Sequence, residues 1–121
     1  MIAVIFEVTP LSGQEARYFE IASTLREQLA QVDGFVSVER FQSLSRPGSY
    51  LSLSYWRDEA AVQAWRNQGA HRVGQQEGRA EVFADYRIRV AQVLRDYSMD
   101  QRSEAPPDSN AALQVAHTPG A

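Results

Sequence analysis

The stretch from Tyr50 to Tyr97 constrains the fold more than any other part of this chain. It begins with Tyr50-Leu-Ser-Leu-Ser-Tyr-Trp-Arg57, an alternating run that predicts a strand. Asp58 comes next as a helix N-cap, and Glu59 suits the first turn through the helix dipole. Val62, Trp65 and Gly69 then fall on one helical stripe. Asn67-Gln68-Gly69 weakens that helix, and Gly74 and Gly78 weaken the segment after it. The pattern predicts a helix near 59–68 and a looser helical piece near 70–77. Val82–Tyr97 predicts a long strand. Tyr86, Ile88, Val90 and Leu94 share one face of it; Asp85, Arg87, Arg89 and Arg95 share the other with Ala91 and Val93. Strand, helix, strand is the second half of a βαββαβ unit.

The first half reads the same way. Residues 2–9 are β-branched and aromatic, with Glu7 the one charge, which suits a strand buried on both faces. Pro10 to Gly13 breaks it. Ser12 and Glu15 then match a capping box, and Tyr18, Ile21, Ala22, Leu25, Leu29 and Val32 form a helical stripe. Gly34 suits the left-handed position that closes that helix. Phe35–Ser43 alternates, with Val36, Val38 and Arg40 on one side, and Ser45-Arg-Pro-Gly48 is a turn signal. Phe35–Ser43 and Tyr50–Arg57 therefore form a hairpin.

The order predicts an α+β, ferredoxin-like βαββαβ fold: a four-stranded antiparallel sheet with helices on one face. Helices cover only one side, yet the first and last strands carry apolar residues on both. An uncovered apolar face needs a partner, and the simplest is a second copy, which predicts a homodimer with a barrel-like centre. The domain spans residues 1–97. Residues 98–121 form an acidic tail rich in Pro, Ala and Ser, expected to be disordered or draped over the surface.

Composition excludes several function classes. With no cysteine there is no thiolate nucleophile and no Cys-ligated metal. All 12 basic residues are arginine, so no lysine Schiff base is available. A net charge of −3 argues against an electrostatic nucleic-acid binder. No apolar run reaches membrane-spanning length and no basic, then apolar, leader is visible, which makes a cytoplasmic protein the expectation. His71 is the one histidine in residues 1–97, so no metal site is expected from protein ligands alone.

Taken in order, Gly34-Phe35, Leu-Ser-Leu-Ser-Tyr-Trp-Arg-Asp-Glu-Ala (51–60), Ala64-Trp65-Arg66, His71-Arg72 and Ala84-Asp-Tyr-Arg-Ile-Arg-Val90 resemble the antibiotic biosynthesis monooxygenase family. The resemblance covers about residues 1–97 and implies a dimeric α+β barrel. That family includes cofactor-independent oxidases of quinols and anthrones, haem-degrading monooxygenases, and members without an established activity. In the haem-degrading branch an Asn on strand one, a Trp on the second helix and a His ligand to iron do the work. Trp65 and His71 match the last two. Strand one holds no Asn: Phe6 or Glu7 stands there, and six residues from Trp to His is short for that branch. Both departures argue against haem oxygenation.

Each candidate has a plain structural alternative. His71 is a candidate base or haem ligand, or else a capping histidine; on a straight helix it lies about 120° from Trp65, so the two share a pocket only if the helix breaks near Gly69. Trp65 and Phe83 are candidate pocket walls, or core. Glu7, if buried, is a candidate proton acceptor; the alternative is an ion pair with Arg87, Arg89 or a hairpin residue. Tyr86 and Arg87 are candidates to hold substrate oxygens, and Arg87 otherwise pairs with acids.

Three functions compete. The first is a cofactor-independent monooxygenase of a small aromatic molecule, a quinol or polycyclic phenol. It would use His71 or Glu7 as base, Trp65 and Phe83 as walls, and Arg87 or Tyr86 against a developing oxyanion. The second is haem binding or degradation through His71. The third is a non-catalytic dimer that binds a small hydrophobic metabolite.

Overall fold

A computed structural model describes residues 1–113, apart from the side chains of Ala70, His71, Gln75 and Ala80. The elements run β1 (Ile2–Pro10), α1 (Glu15–Leu29), β2 (Phe35–Gln42), β3 (Tyr50–Trp56), α2 (Glu59–Arg66), α3 (Gly69–Glu77), a π-helical turn (Gly78–Val82), β4 (Phe83–Gln92) and α4 (Pro107–Leu113). The four strands form one antiparallel sheet in the order β2-β3-β1-β4, the ferredoxin-like arrangement expected from the order of elements.

Strand alternation sets what each face carries. Ile2, Val4, Phe6 and Val8 turn one way and pack under the helices in two clusters. One is built on Leu29, Trp56, Ala61, Val62 and Trp65, the other on Val8, Tyr18 and Val82. Ala3, Ile5 and Glu7 turn the other way, beside Leu51, Leu53 and Tyr55 of β3.

Several boundaries obey local chemistry. Asp58 caps α2, its carboxylate accepting from the Ala61 amide at 2.9 Å, as expected. The start of α1 differs from expectation. Its N-cap is Gln14, without a side-chain bond, and Glu15 is the first helical residue. Gly13, at φ +82°, makes a tight turn in which the Gln14 amide bonds the Leu11 carbonyl at 2.9 Å, and that turn moves the helix start past Ser12.

The end of α1 differs too. The helix stops at Leu29, and Gly34, at φ +91°, lies in the turn into β2 rather than next to the cap. There its carbonyl accepts from the Arg57 amide at 2.7 Å. β4 ends at Gln92 rather than Tyr97, because its ladder with β1 runs out at Ile2↔Gln92 and one further bond from Val93 N–H to the Met1 carbonyl.

The tail is not bare coil as far as Leu113. Pro107 starts α4, Arg102 reaches Asn110 Oδ1 at 3.0 Å, and the Asp96 amide donates to Glu104 Oε1 at 2.9 Å. Residues 114–121 lie outside the described residues. Among the described residues no helix is long and apolar enough to cross a membrane.

Candidate functional site

A cavity of about 260 Å³ lies between the helices and the sheet, bordered by both core clusters. Its floor is the helix-facing side of the sheet; α1 and α2 form its roof. Six aromatic residues line it: Phe6, Tyr18, Trp56, Trp65, Phe83 and Tyr86. Phe6 stands 5.9 Å from Phe83 and 5.8 Å from Tyr86 between ring centres, and Tyr18 meets Phe83 edge-on at 6.0 Å. These spacings suit mutually packed rings rather than a collapsed stack. A wider concavity of about 670 Å³ on the opposite sheet face has one aromatic residue in its lining, Tyr55, and Ala3, Ile5, Leu51 and Leu53 for its base. The aromatic enclosure makes the first cavity the candidate site.

The floor is graded in polarity. Strand register sets Arg40, Ser52, Phe6 and Ile88 in one row across β2, β3, β1 and β4, and Val38, Ser54, Val4 and Val90 in the next. Every one of these residues lines the cavity. The β2–β3 half of the floor therefore carries its polar residues, Arg40, Ser52 and Ser54, and the β1–β4 half is apolar.

Polar groups at the site have defined states. Burial pushes the Tyr18 phenol pKa above its ordinary value of 10.0, with Arg40 opposing, so the hydroxyl stays protonated at neutral pH. The guanidinium carbon of Arg40 lies 5.3 Å from the Tyr18 ring centre and 5.6 Å from that of Phe19. Arg79 donates to the Tyr86 hydroxyl at 2.6 Å, which leaves the Tyr86 proton available to a ligand. Trp56 Nε1 donates to Ser54 Oγ at 2.9 Å, so both groups are satisfied inside the protein.

Of the residues singled out from sequence, Trp65, Phe83 and Tyr86 line this cavity together. Glu7 and Arg87 do not. They face each other in register on β1 and β4 and turn toward the opposite side of the sheet. There Glu7 pairs with Arg89 at 3.2 Å and with Arg46 of the hairpin turn at 3.8 Å. The His71 side chain lies outside the described residues; its backbone is in the first turn of α3. Among the described residues no group of three or more His, Cys, Asp or Glu is placed to hold a metal ion.

Sequence reasoning does not place Arg40 at a site; it leaves Tyr18 as one of several tyrosines able to donate to a substrate oxygen, and Phe6 as one of two residues at the strand-one position of the haem-degrading branch. The signal for Arg40 is its parity with Val38 on β2, which puts it on the helix-facing side once the hairpin register is known.

Comparison with known proteins agrees with the fold. The jasmonate monooxygenase ABM of Pyricularia oryzae is 50% identical over 93 residues, covering 77% of this chain and 43% of that protein. The chain thus spans less than half the length of that fungal relative. The uncharacterized protein YqjZ of Bacillus subtilis is 31% identical over 93 residues, covering 77% of this chain and 79% of that one. The solved structure of Rv0793 from Mycobacterium tuberculosis superposes with a TM-score of 0.72 at 15% identity, over 80% of this chain and 98% of that one, a likeness of fold. The sequence profile of the antibiotic biosynthesis monooxygenases matches residues 1–77, well over half of the chain. This protein belongs to the antibiotic biosynthesis monooxygenase family.

Proposed function

We propose that this protein is a cofactor-independent monooxygenase that oxidises a small aromatic molecule in the cavity between helices and sheet. The cavity carries the reading: about 260 Å³, walled by six aromatic residues. That volume is below the roughly 300–1,000 Å³ of sites for drug-sized ligands. A one- or two-ring quinol suits it better than a polycyclic phenol, and a porphyrin is too large. The haem alternative therefore has no observation in its favour. The fungal relative's name supplies the reaction class, and a jasmonate joins the substrates worth testing.

The chemistry needs no redox group from the protein. A base removes a proton from an activated position of the substrate, and the resulting anion gives one electron to dioxygen. The two radicals join in a carbon–oxygen bond. The oxygen–oxygen bond then breaks: one atom stays as a new carbonyl, and the other leaves as water with the one hydrogen still on that carbon and the proton the base had taken. The four electrons dioxygen gains are the pair freed by the deprotonation and the pair of the carbon–hydrogen bond that is lost. The protein contributes a dry enclosure, a base and donors aimed at the developing oxyanion. Trp65 and Phe83 are the walls in this reading, and the Tyr86 hydroxyl is the donor. His71 is the base on sequence grounds, since Glu7 faces away from the cavity.

The second sheet face supports a homodimer. Ile5, Leu51, Leu53 and Tyr55 form an apolar patch there, on the side of the sheet away from the two core clusters. A second copy, placed face to face, would complete a barrel. A single 13.6 kDa species in light scattering would overturn this part.

Oxygen uptake tests the activity, using a panel of hydroquinones, anthrones and a jasmonate. Substrate-dependent uptake should fall about 10²–10⁴-fold in His71→Ala, the usual weight of a general base. A panel silent with folded protein rejects the monooxygenase reading.

A further inference from the structure

We propose that Arg40, with the Tyr18 hydroxyl beside it, determines specificity at the mouth of the cavity and selects a substrate whose aromatic body carries a carboxylate. The proposal rests on the cavity being the ligand site described above, and it names the substrate's polar end.

Charge is the first observation. The whole chain has a net charge of −3, yet the cavity is lined by three cations, Arg26, Arg40 and Arg66, against one carboxylate, Glu39. Arg17, Arg46, Arg57 and Arg89, which have carboxylate partners, all lie away from it. Among the described residues no carboxylate comes within ion-pair distance of Arg26, Arg40 or Arg66. Three arginines against one carboxylate give the lining a net positive charge, and positive charge at an apolar cleft raises the local concentration of anions.

Placement is the second. Arg26 and Arg66 sit in the last turns of α1 and α2, where a cation is favoured by the helix dipole whatever the cavity holds. Arg40 has no such role. It lies on the edge strand β2, at the head of the row Arg40, Ser52, Phe6, Ile88. At the usual strand spacing that row spans about 14 Å, from a guanidinium at one end to aliphatic carbon at the other. A flat apolar molecule with one anionic end matches the gradient; a uniformly apolar one leaves Arg40 unused.

Orientation is the third. Arg40 lies over the rings of Tyr18 and Phe19. The two rings hold the guanidinium by cation–π contact, Arg40 also hydrogen-bonds toward the Tyr18 hydroxyl, and its remaining N–H groups are the ones a carboxylate would take. Tyr18 adds a neutral donor to the same oxygens.

The test uses the full chain and calorimetric titration with 2-naphthoate and 2-naphthamide, which share a shape and differ in charge. The acid should bind about tenfold tighter than the amide, and raised salt should shrink the ratio. Arg40→Gln should bring the ratio near one, and Arg40→Lys should keep part of it. Arg46→Gln, on the far sheet face, should keep all of it. Arg40 is exposed, so its variants should fold, which circular dichroism checks. Equal binding of acid and amide overturns the proposal and leaves the monooxygenase reading standing. A preference that survives Arg40→Gln overturns it as well. Binding of neither compound overturns the ligand-site reading and this proposal together.

Discussion

Arg17 and Glu77 lie 60 residues apart and meet as a side-on pair, Nε and Nη2 of the guanidinium each donating to one carboxylate oxygen. The pair ties α1 to α3. α3 needs the tie. It begins at Gly69, contains Gly74, runs into Gly78, and has neither an acid in its first turn nor a base in its last. Glu77→Gln should therefore raise amide exchange in residues 69–82 while the global melting temperature changes little.

The same pair predicts a pH dependence. The hydrogen bond from Arg17 holds the Glu77 pKa below its ordinary value of 4.5. A carboxylate whose pKa is lowered by folding stabilises above its unfolded value and loses that contribution as pH falls through its folded value. Protection of the α3 amides should thus hold at pH above about 4.5 and decline below it. Glu77→Gln should show no such decline; the same decline in both proteins would exclude the pair as the cause.

Gly34 is a backbone requirement at a close contact. Its φ is +91°, and a Cβ there would stand 2.7 Å from the Ala61 Cβ at the start of α2. Gly34→Ala should cost about 1–3 kcal/mol in denaturant unfolding, from overpacking and left-handed strain together. Adding Ala61→Gly should recover the steric part only. Full recovery would show that strain contributes nothing.

How much of this was legible from sequence depends on the physics of each element. The order of strands and helices was legible because periodicity and turn chemistry are local: Asp58 caps α2 because its side chain reaches an amide three residues away. The start of α1 was not, since Ser12 and Glu15 match a capping box but Gly13 spends the intervening residue on a turn. The side chains of β1 were legible as apolar but not as sided. Glu7 turns from the cavity because its register with Leu51 and Arg87 fixes its parity, a long-range fact. Arg40 was hidden for the same reason, its row with Ser52, Phe6 and Ile88 being assembled from four strands. Trp65, Phe83 and Tyr86 were legible because large aromatic residues at the sheet–helix interface end up around whatever space it leaves.

Trp56 and Ser54 form a buried polar pair within one strand. Trp56 is 1% exposed and Ser54 8%, and the indole N–H donates to the hydroxyl. Trp56→Phe leaves that hydroxyl without its partner and should cost about 1–3 kcal/mol beyond the lost packing. Ser54→Ala alone strands the indole N–H. A double-mutant cycle should return a favourable coupling of about 0.5–3 kcal/mol; strict additivity would mean that the bond contributes nothing net.

Ala22 tests whether the cavity is where ligands go, independently of any charged group. It lies on the inner stripe of α1 and lines the cavity. Ala22→Leu adds three carbons to a space of about 260 Å³ that holds no other side chain. Filling such a void adds dispersion contacts and buries apolar surface, so the variant should unfold at the same denaturant concentration or a higher one. The space lost should weaken binding of a two-ring ligand such as 2-naphthoate at least about tenfold, a penalty in the usual range for overpacking. Oxygen uptake should fall with it, through KM more than kcat, because the side chain excludes substrate without touching a base or a donor. Unchanged affinity in a stable Ala22→Leu protein would place the ligand elsewhere, with the groove over Ile5, Leu51 and Tyr55 as the next concavity to test.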